Sequence, residues 1–117
     1  MDIIQISNEI QNKIKNLQER RGRLKEYGEK KSLSIANYEK ELAKTIIGLK
    51  NGRAYQIDDV EILNPQVTII EKIAKGICWQ EKLNMEKEET LYKSLIVSID
   101  CLQAELCALQ SLNRHLD

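Results

Sequence analysis

The chain has 117 residues, of which 42% are hydrophobic and only 4% aromatic, with a single proline at position 65. So few aromatic and turn-forming residues exclude a β-sandwich or a β-barrel, and the composition is typical of long helices in one domain. Lys and Arg balance Asp and Glu at 18 each, so the net charge is zero and weakens the case for a nucleic-acid partner.

Residues 1–50 carry a heptad pattern of apolar residues that weakens in its middle, after a possible N-cap at Asp2 or Ser7. The apolar positions are Ile3, Ile10, Ile14, Leu17 and Leu24, then Ile35, Tyr38, Leu42 and Leu49. Between these two groups the same register falls on Arg21, Gly28 and Lys31. The pattern predicts either one helix with a polar middle or two helices broken near residues 28–34. We favour the continuous helix because the register survives.

The middle of the chain contains a helix stop and a restart. Asn51 and Gly52 can adopt the left-handed conformation that ends helices. Residues 53–64 then alternate roughly like a strand, but a lone hairpin is marginal in water, so we expect residues 51–64 to form an extended connector rather than a sheet. Asn64 and Pro65 suit the N-cap and first position of a short helix over residues 65–76.

Residues 77–117 are predicted to form a second long helix whose last part carries a leucine heptad. Leu95, Leu102, Leu109 and Leu116 recur every seven residues, and Tyr92, Ile99, Leu106 and Asn113 precede them by three. Such a stripe requires a partner helix, and the first long helix can cover only part of it. The sequence therefore predicts an all-α, coiled-coil-like helical hairpin that assembles into an oligomeric bundle. The predicted oligomer interface comprises Tyr92, Leu95, Ile99, Leu102, Leu106, Leu109, Leu112 and Leu116.

Catalytic and metal-binding patterns are weak throughout the sequence. The one histidine, His115, is almost terminal, and Glu86 and Glu89 lack the Glu-x-x-His pairs of di-iron bundles. A glycine-rich phosphate loop is also absent. We therefore expect a non-enzymatic protein without cofactor or metal.

The cysteines and the N-terminus indicate a compartment. Cys78, Cys101 and Cys107 are odd in number and contain no CxxC motif, which favours free thiols in a reducing environment. No basic N-terminal segment with a long apolar run is present, and no stretch approaches about 18 apolar residues. We expect a cytoplasmic protein without a membrane span.

A basic stretch around Arg21 leaves two interpretations open. Arg20, Arg21 and Arg23 could follow nucleic-acid phosphates, although nearby glutamates dilute the charge. Alternatively these arginines, together with Trp79, could contact another protein, because Arg and Trp are frequent interface anchors. We favour the protein partner.

Three stretches carry a resemblance to a known group: ANYEKELAKTIIGLKNG, PQVTIIEKIAKG and ETLYKSLIVSIDCLQAELCALQSLNRHLD. Through them, residues 36–117 resemble small, mostly uncharacterised helical accessory proteins of phages and prophages of low-GC Gram-positive bacteria. The resemblance implies a phage protein made in the bacterial cytoplasm that modulates host machinery. Together with the oligomer that the leucine heptad predicts, this leads us to expect a homo-oligomer that binds, and inhibits, a host defence or DNA-processing protein. The alternative is a nucleic-acid-binding factor in phage replication or recombination.

Overall fold

The structure is a computed structural model that describes residues 2–116, and it is 83% helical, which confirms the all-α class. Its helices are α1 (Ile3–Gly22), α2 (Leu24–Lys50), α3 (Ile70–Ile77) and α4 (Trp79–Leu116). Two short strands, β1 (Tyr55–Ile57) and β2 (Val60–Ile62), and a 3₁₀ turn (Val67–Ile69) lie between α2 and α3. The order is therefore a long helical region, a connector, a short helix and a second long helix.

A single residue, Arg23, separates α1 from α2. Its backbone N–H donates to the carbonyl of Arg20 at 3.1 Å, and its own carbonyl accepts from Tyr27 at 3.0 Å, so the chain tightens for one turn and continues. The interruption follows Gly22, a residue that weakens helix interiors. The alternative of a break near residues 28–34 is wrong, because those residues lie inside α2. The favoured continuous helix is interrupted only by this one turn at Arg23.

Both ends of the first helical region are capped by their own sequence. Asp2 is the N-cap of α1: its carboxylate accepts from the Gln5 N–H at 2.8 Å, and the Gln5 side chain accepts from the Asp2 N–H at 3.0 Å. At the end of α2, Gly52 has a φ of +83°. The Arg53 N–H then reaches the carbonyl of Gly48 at 2.9 Å, which completes a Schellman motif and confirms the predicted helix stop.

The connector contains a β-hairpin, contrary to the prediction of an extended segment without a sheet. The strands pair antiparallel, with Tyr55 opposite Ile62 and Ile57 opposite Val60. A hairpin alone is marginal, but here Tyr55 and Ile62 pack against the buried cluster around Leu49. Packing on a helix supplies the stability that two strands lack.

The second helical region starts later than predicted. Asn64 has a φ of +45°, whereas an N-cap residue needs an extended backbone, so Asn64 is not the cap and Pro65 is not the first helical residue. The 3₁₀ turn begins at Val67 after Gln66, and α3 follows from Ile70.

The chain divides into two compact units, whereas the prediction of one domain overall stays a prediction. Of residues 2–116, unit 1 comprises residues 2–28 and 90–116, and unit 2 comprises residues 29–89. In unit 1, Leu17 packs against Leu102 and Leu106, with α1 antiparallel to the second half of α4. In unit 2, Leu49, Ile70 and Ala74 form the buried cluster.

Candidate interaction surfaces

The predicted oligomer interface divides into covered and uncovered residues. Leu95, Leu102 and Leu106 are buried within the chain, and Tyr92, Ile99 and Leu109 are half-buried. Leu112 and Leu116 remain 42% and 45% exposed. The leucine heptad is therefore largely used inside unit 1, and only its C-terminal end is free for another molecule.

Polar side chains align α1 with α4 beside the Leu17 core. Arg21 donates to the side-chain oxygen of Gln103 at 2.6 Å, and Arg20 donates to the hydroxyl of Ser98. Lys13 forms an ion pair with Glu105. The basic residues that sequence analysis assigned to a partner thus also bind within the chain, and two of them do so through neutral acceptors.

The side of α4 that faces away from the Leu17 core is uncovered, and its side chains are small and almost all uncharged. We call it the outer face and define it by Val97, Cys101, Ala104, Ala108 and Ser111. These five residues follow one another at intervals of four and three, which places them on one helix face, and all are exposed. The side chain of Val97, the largest apolar residue of the five, is 60% exposed. Side chains this small allow another helix to approach closely.

An 18-residue window within α4 has a mean hydropathy of 1.4 but is only 17% buried. By length and composition it meets the criteria for a membrane-spanning helix, as the core helices of soluble proteins also do. The earlier expectation of a cytoplasmic protein without a membrane span stays a prediction.

A groove lies in unit 1 where α1 ends and α2 begins. We call it the arginine groove; it has a volume of about 330 Å³. It is lined by Arg20, Arg23, Tyr27, Leu91, Ser94, Leu95 and Ser98. Arg23 also pairs with Glu19 at 2.9 Å, and Leu91 is 42% exposed. Cationic, hydroxyl and apolar groups therefore face the same depression.

The predicted partner-binding residues do not all belong to one unit. Arg20, Arg21 and Arg23 are in unit 1, whereas Trp79 is in unit 2. Trp79 is 51% exposed at the start of α4, and Leu83, one turn later, is exposed as well. Of the four predicted residues, the arginine groove brings together only Arg20 and Arg23.

The cysteines differ in their surroundings, and all three are free thiols. Cys78 is buried in unit 2 with its sulfur 3.4 Å from the Thr45 hydroxyl, whereas Cys101 and Cys107 are exposed on α4. Among residues 2–116, no group of three His, Cys, Asp or Glu side chains is arranged to hold a metal ion. His115 is exposed at the end of α4.

Comparison with protein-family models, with curated proteins and with solved structures gave no match. The phage origin, the partner and the function therefore rest on the residues themselves and stay predictions.

Sequence reasoning missed the outer face and the hydroxyls of the arginine groove. The interval of four and three residues from Val97 to Ser111 was visible, but alanine and serine contribute little hydrophobicity beside the leucine heptad. Ser94 and Ser98 could be placed next to Arg20 and Arg23 only once the pairing of α1 with α4 was known.

Proposed function

We propose that this chain is a non-enzymatic binding protein that acts as a homo-oligomer, assembled through the outer face of α4, and that binds another protein. One observation carries the oligomer: the most apolar part of α4 is only 17% buried within a single chain. Large uncovered apolar surfaces mark interaction sites. A second copy brings an identical small, neutral helix face to cover it.

The other occupant of such a face would be a lipid bilayer, and the rest of unit 1 argues against it. α1 packs along α4 and carries charged side chains through its length, among them Glu9, Lys15 and Glu19. Charged side chains are costly inside a bilayer. Glu105 on α4 is already held by Lys13 of α1, so inserting α4 would draw that ion pair in with it.

Ala104→Glu tests the oligomer, because Ala104 is exposed and central in the outer face. One chain has a mass of 13.5 kDa. Light scattering should give at least twice this mass for the wild-type protein and the mass of a single chain for the variant. Gln110→Glu adds the same charge at an exposed position of α4 outside the outer face and should keep the larger mass. Leu102→Asp is less informative, because Leu102 belongs to the unit 1 core and the substitution would disrupt the packing of unit 1 itself.

Native cysteines offer a second measurement of the same interface. A short bis-maleimide should link two chains through Cys101 or Cys107, both exposed on α4. The Cys101→Ser/Cys107→Ser variant should lose the link, and Cys78→Ser should retain it because Cys78 is buried. A wild-type protein that is monomeric at tens of micromolar, or that cosediments with phosphatidylcholine vesicles, would contradict the proposed homo-oligomer.

A second candidate function, nucleic-acid binding, is favoured by one observation. Arg20 and Arg21 donate to the neutral side chains of Ser98 and Gln103, so these hydrogen bonds leave the positive charges uncompensated. If the chain binds nucleic acid, affinity for duplex or single-stranded DNA should fall steeply with salt and be lost in Arg20→Glu/Arg21→Glu. Absence of binding at low salt removes this function.

The partner we propose is a bacterial host protein, such as a defence or DNA-processing factor, which the chain inhibits. The resemblance of residues 36–117 to phage accessory proteins is what supports it. Affinity purification from infected cells should recover one host protein, whose activity then falls when the purified chain is added at equal concentration. Recovery without any change in activity would contradict inhibition.

A further inference from the structure

We propose that the arginine groove takes an acidic side chain of the partner protein, with an apolar neighbour of that residue on Leu91 and Tyr27. This rests on the proposed function, since it specifies the chemistry of the partner. The groove joins two guanidinium groups to an apolar wall within one depression of about 330 Å³. That volume is at the lower end of small-ligand pockets and suits one or two side chains.

The two arginines can both turn toward a carboxylate. Arg20 donates to the Ser98 hydroxyl, a neutral acceptor that an ionised carboxylate outcompetes. Arg23 pairs with Glu19 four residues before it, and both side chains are at least half exposed. Exposed pairs of this kind contribute little stability because water screens them, so an incoming carboxylate displaces Glu19 readily. The planar fork of arginine binds carboxylates through two parallel hydrogen bonds.

The wall of the groove is apolar where a partner would need it. Leu91 is 42% exposed, while Leu95 beneath it is buried. Tyr27 supplies an aromatic ring from the start of α2. A glutamate or aspartate followed by a leucine or a phenylalanine would place its carboxylate on the arginines and its apolar neighbour on this wall.

The charge of unit 1 favours an acidic protein segment over nucleic acid. In sequence, residues 1–28 and 90–117 include eight Lys and Arg against seven Asp and Glu, so unit 1 as a whole carries almost no net positive charge. A nucleic acid gains affinity from many phosphates along a basic surface. A single carboxylate needs only the two arginines of the groove.

Fluorescence anisotropy with labelled peptides of defined chemistry tests the proposal on the full chain. An alternating glutamate and leucine peptide should bind, and its glutamine and leucine counterpart should bind at least tenfold more weakly. The double substitution Arg20→Gln/Arg23→Gln should weaken binding of the acidic peptide at least tenfold. Lys25→Gln removes one charge from an exposed residue of the same unit outside the groove and should leave affinity unchanged.

Two further variants separate a binding role from a structural one. Ser98→Ala removes the neutral acceptor of Arg20 and should keep or strengthen peptide binding, whereas Arg20→Lys keeps the charge but loses the fork and should weaken binding several-fold. Equal binding of the acidic and neutral peptides, an affinity unchanged in the double arginine variant, or tighter binding of a thymidine oligonucleotide would each overturn the proposal. Light scattering on the same samples keeps the outcomes apart: a monomer that binds the peptide contradicts only the oligomer, and an oligomer that does not bind it contradicts only the groove.

Discussion

At Gly48, α2 and the hairpin approach each other closely. A Cβ atom at this position would overlap the Tyr55 hydroxyl and lie 3.1 Å from the Tyr55 Cζ. Glycine is a poor residue for a helix, so its presence near the end of α2 has a steric reason. Through this contact the Tyr55 ring lies against the helix surface, which ties β1 to the Leu49 cluster.

Gly48→Ala should destabilise the protein by about 1–3 kcal/mol, because the added methyl group displaces the Tyr55 ring. The gain in helix propensity, about 1 kcal/mol, does not offset this overpacking. Urea unfolding followed by circular dichroism measures the change in free energy of unfolding.

Gly22→Ala is the matched control, since no heavy atom outside its own helical turn lies within 4 Å of the Cβ that it would add. That substitution should stabilise the protein by up to about 1 kcal/mol. Equal stabilisation by both substitutions would show that the Tyr55 contact does not affect the free energy of unfolding.

At the scale of elements, the end of α2 depends on one backbone conformation. Gly52 has a φ of +83°, and a Cβ built on it would lie 3.3 Å from the side-chain oxygen of Asn64. Gly52→Ala should therefore cost about 1 kcal/mol. Gly52→Asn should cost less, because asparagine tolerates positive φ better than alanine. Thermal unfolding of both variants measures the difference, and an equal loss would contradict a conformational origin.

Elements set by local chemistry could be predicted from the sequence, and elements set by packing could not. The Gly52 stop and the leucine heptad follow from residues within one or two turns. The hairpin depends on Tyr55 and Ile62 meeting a helix cluster, which no local pattern contains. Asn64 has the residue type of an N-cap, but it adopts a left-handed backbone three residues before the first residue of the 3₁₀ turn.

The candidate surfaces follow the same rule. The heptad indicated that α4 needs a cover, but the sequence could not tell which leucines α1 would take. Leu102 is covered by Leu17, whereas Leu112 remains exposed. The arginines of the groove were singled out by charge alone, and the apolar wall beside them depends on α4 lying next to the start of α2 within unit 1.

At the scale of the whole molecule, each unit has its own buried cluster, and α4 contributes residues to both units. Leu17→Ala empties the unit 1 cluster and should cost about 2–5 kcal/mol there. Hydrogen exchange should show the larger loss of amide protection in α1 and residues 90–116. Ile70→Ala should show its larger loss in residues 29–89. A uniform loss along the chain in both variants would mean that the clusters do not act separately.

The half-exposed Trp79 is the only tryptophan in the chain, and it belongs to unit 2. Indole emission therefore reports on unit 2 alone, while far-ultraviolet circular dichroism records the helices of both units. Unfolding curves from the two signals will coincide only if the units unfold together. The chain thus carries its own optical label for one half, and a variant that melts unit 1 first will lose ellipticity before its emission changes.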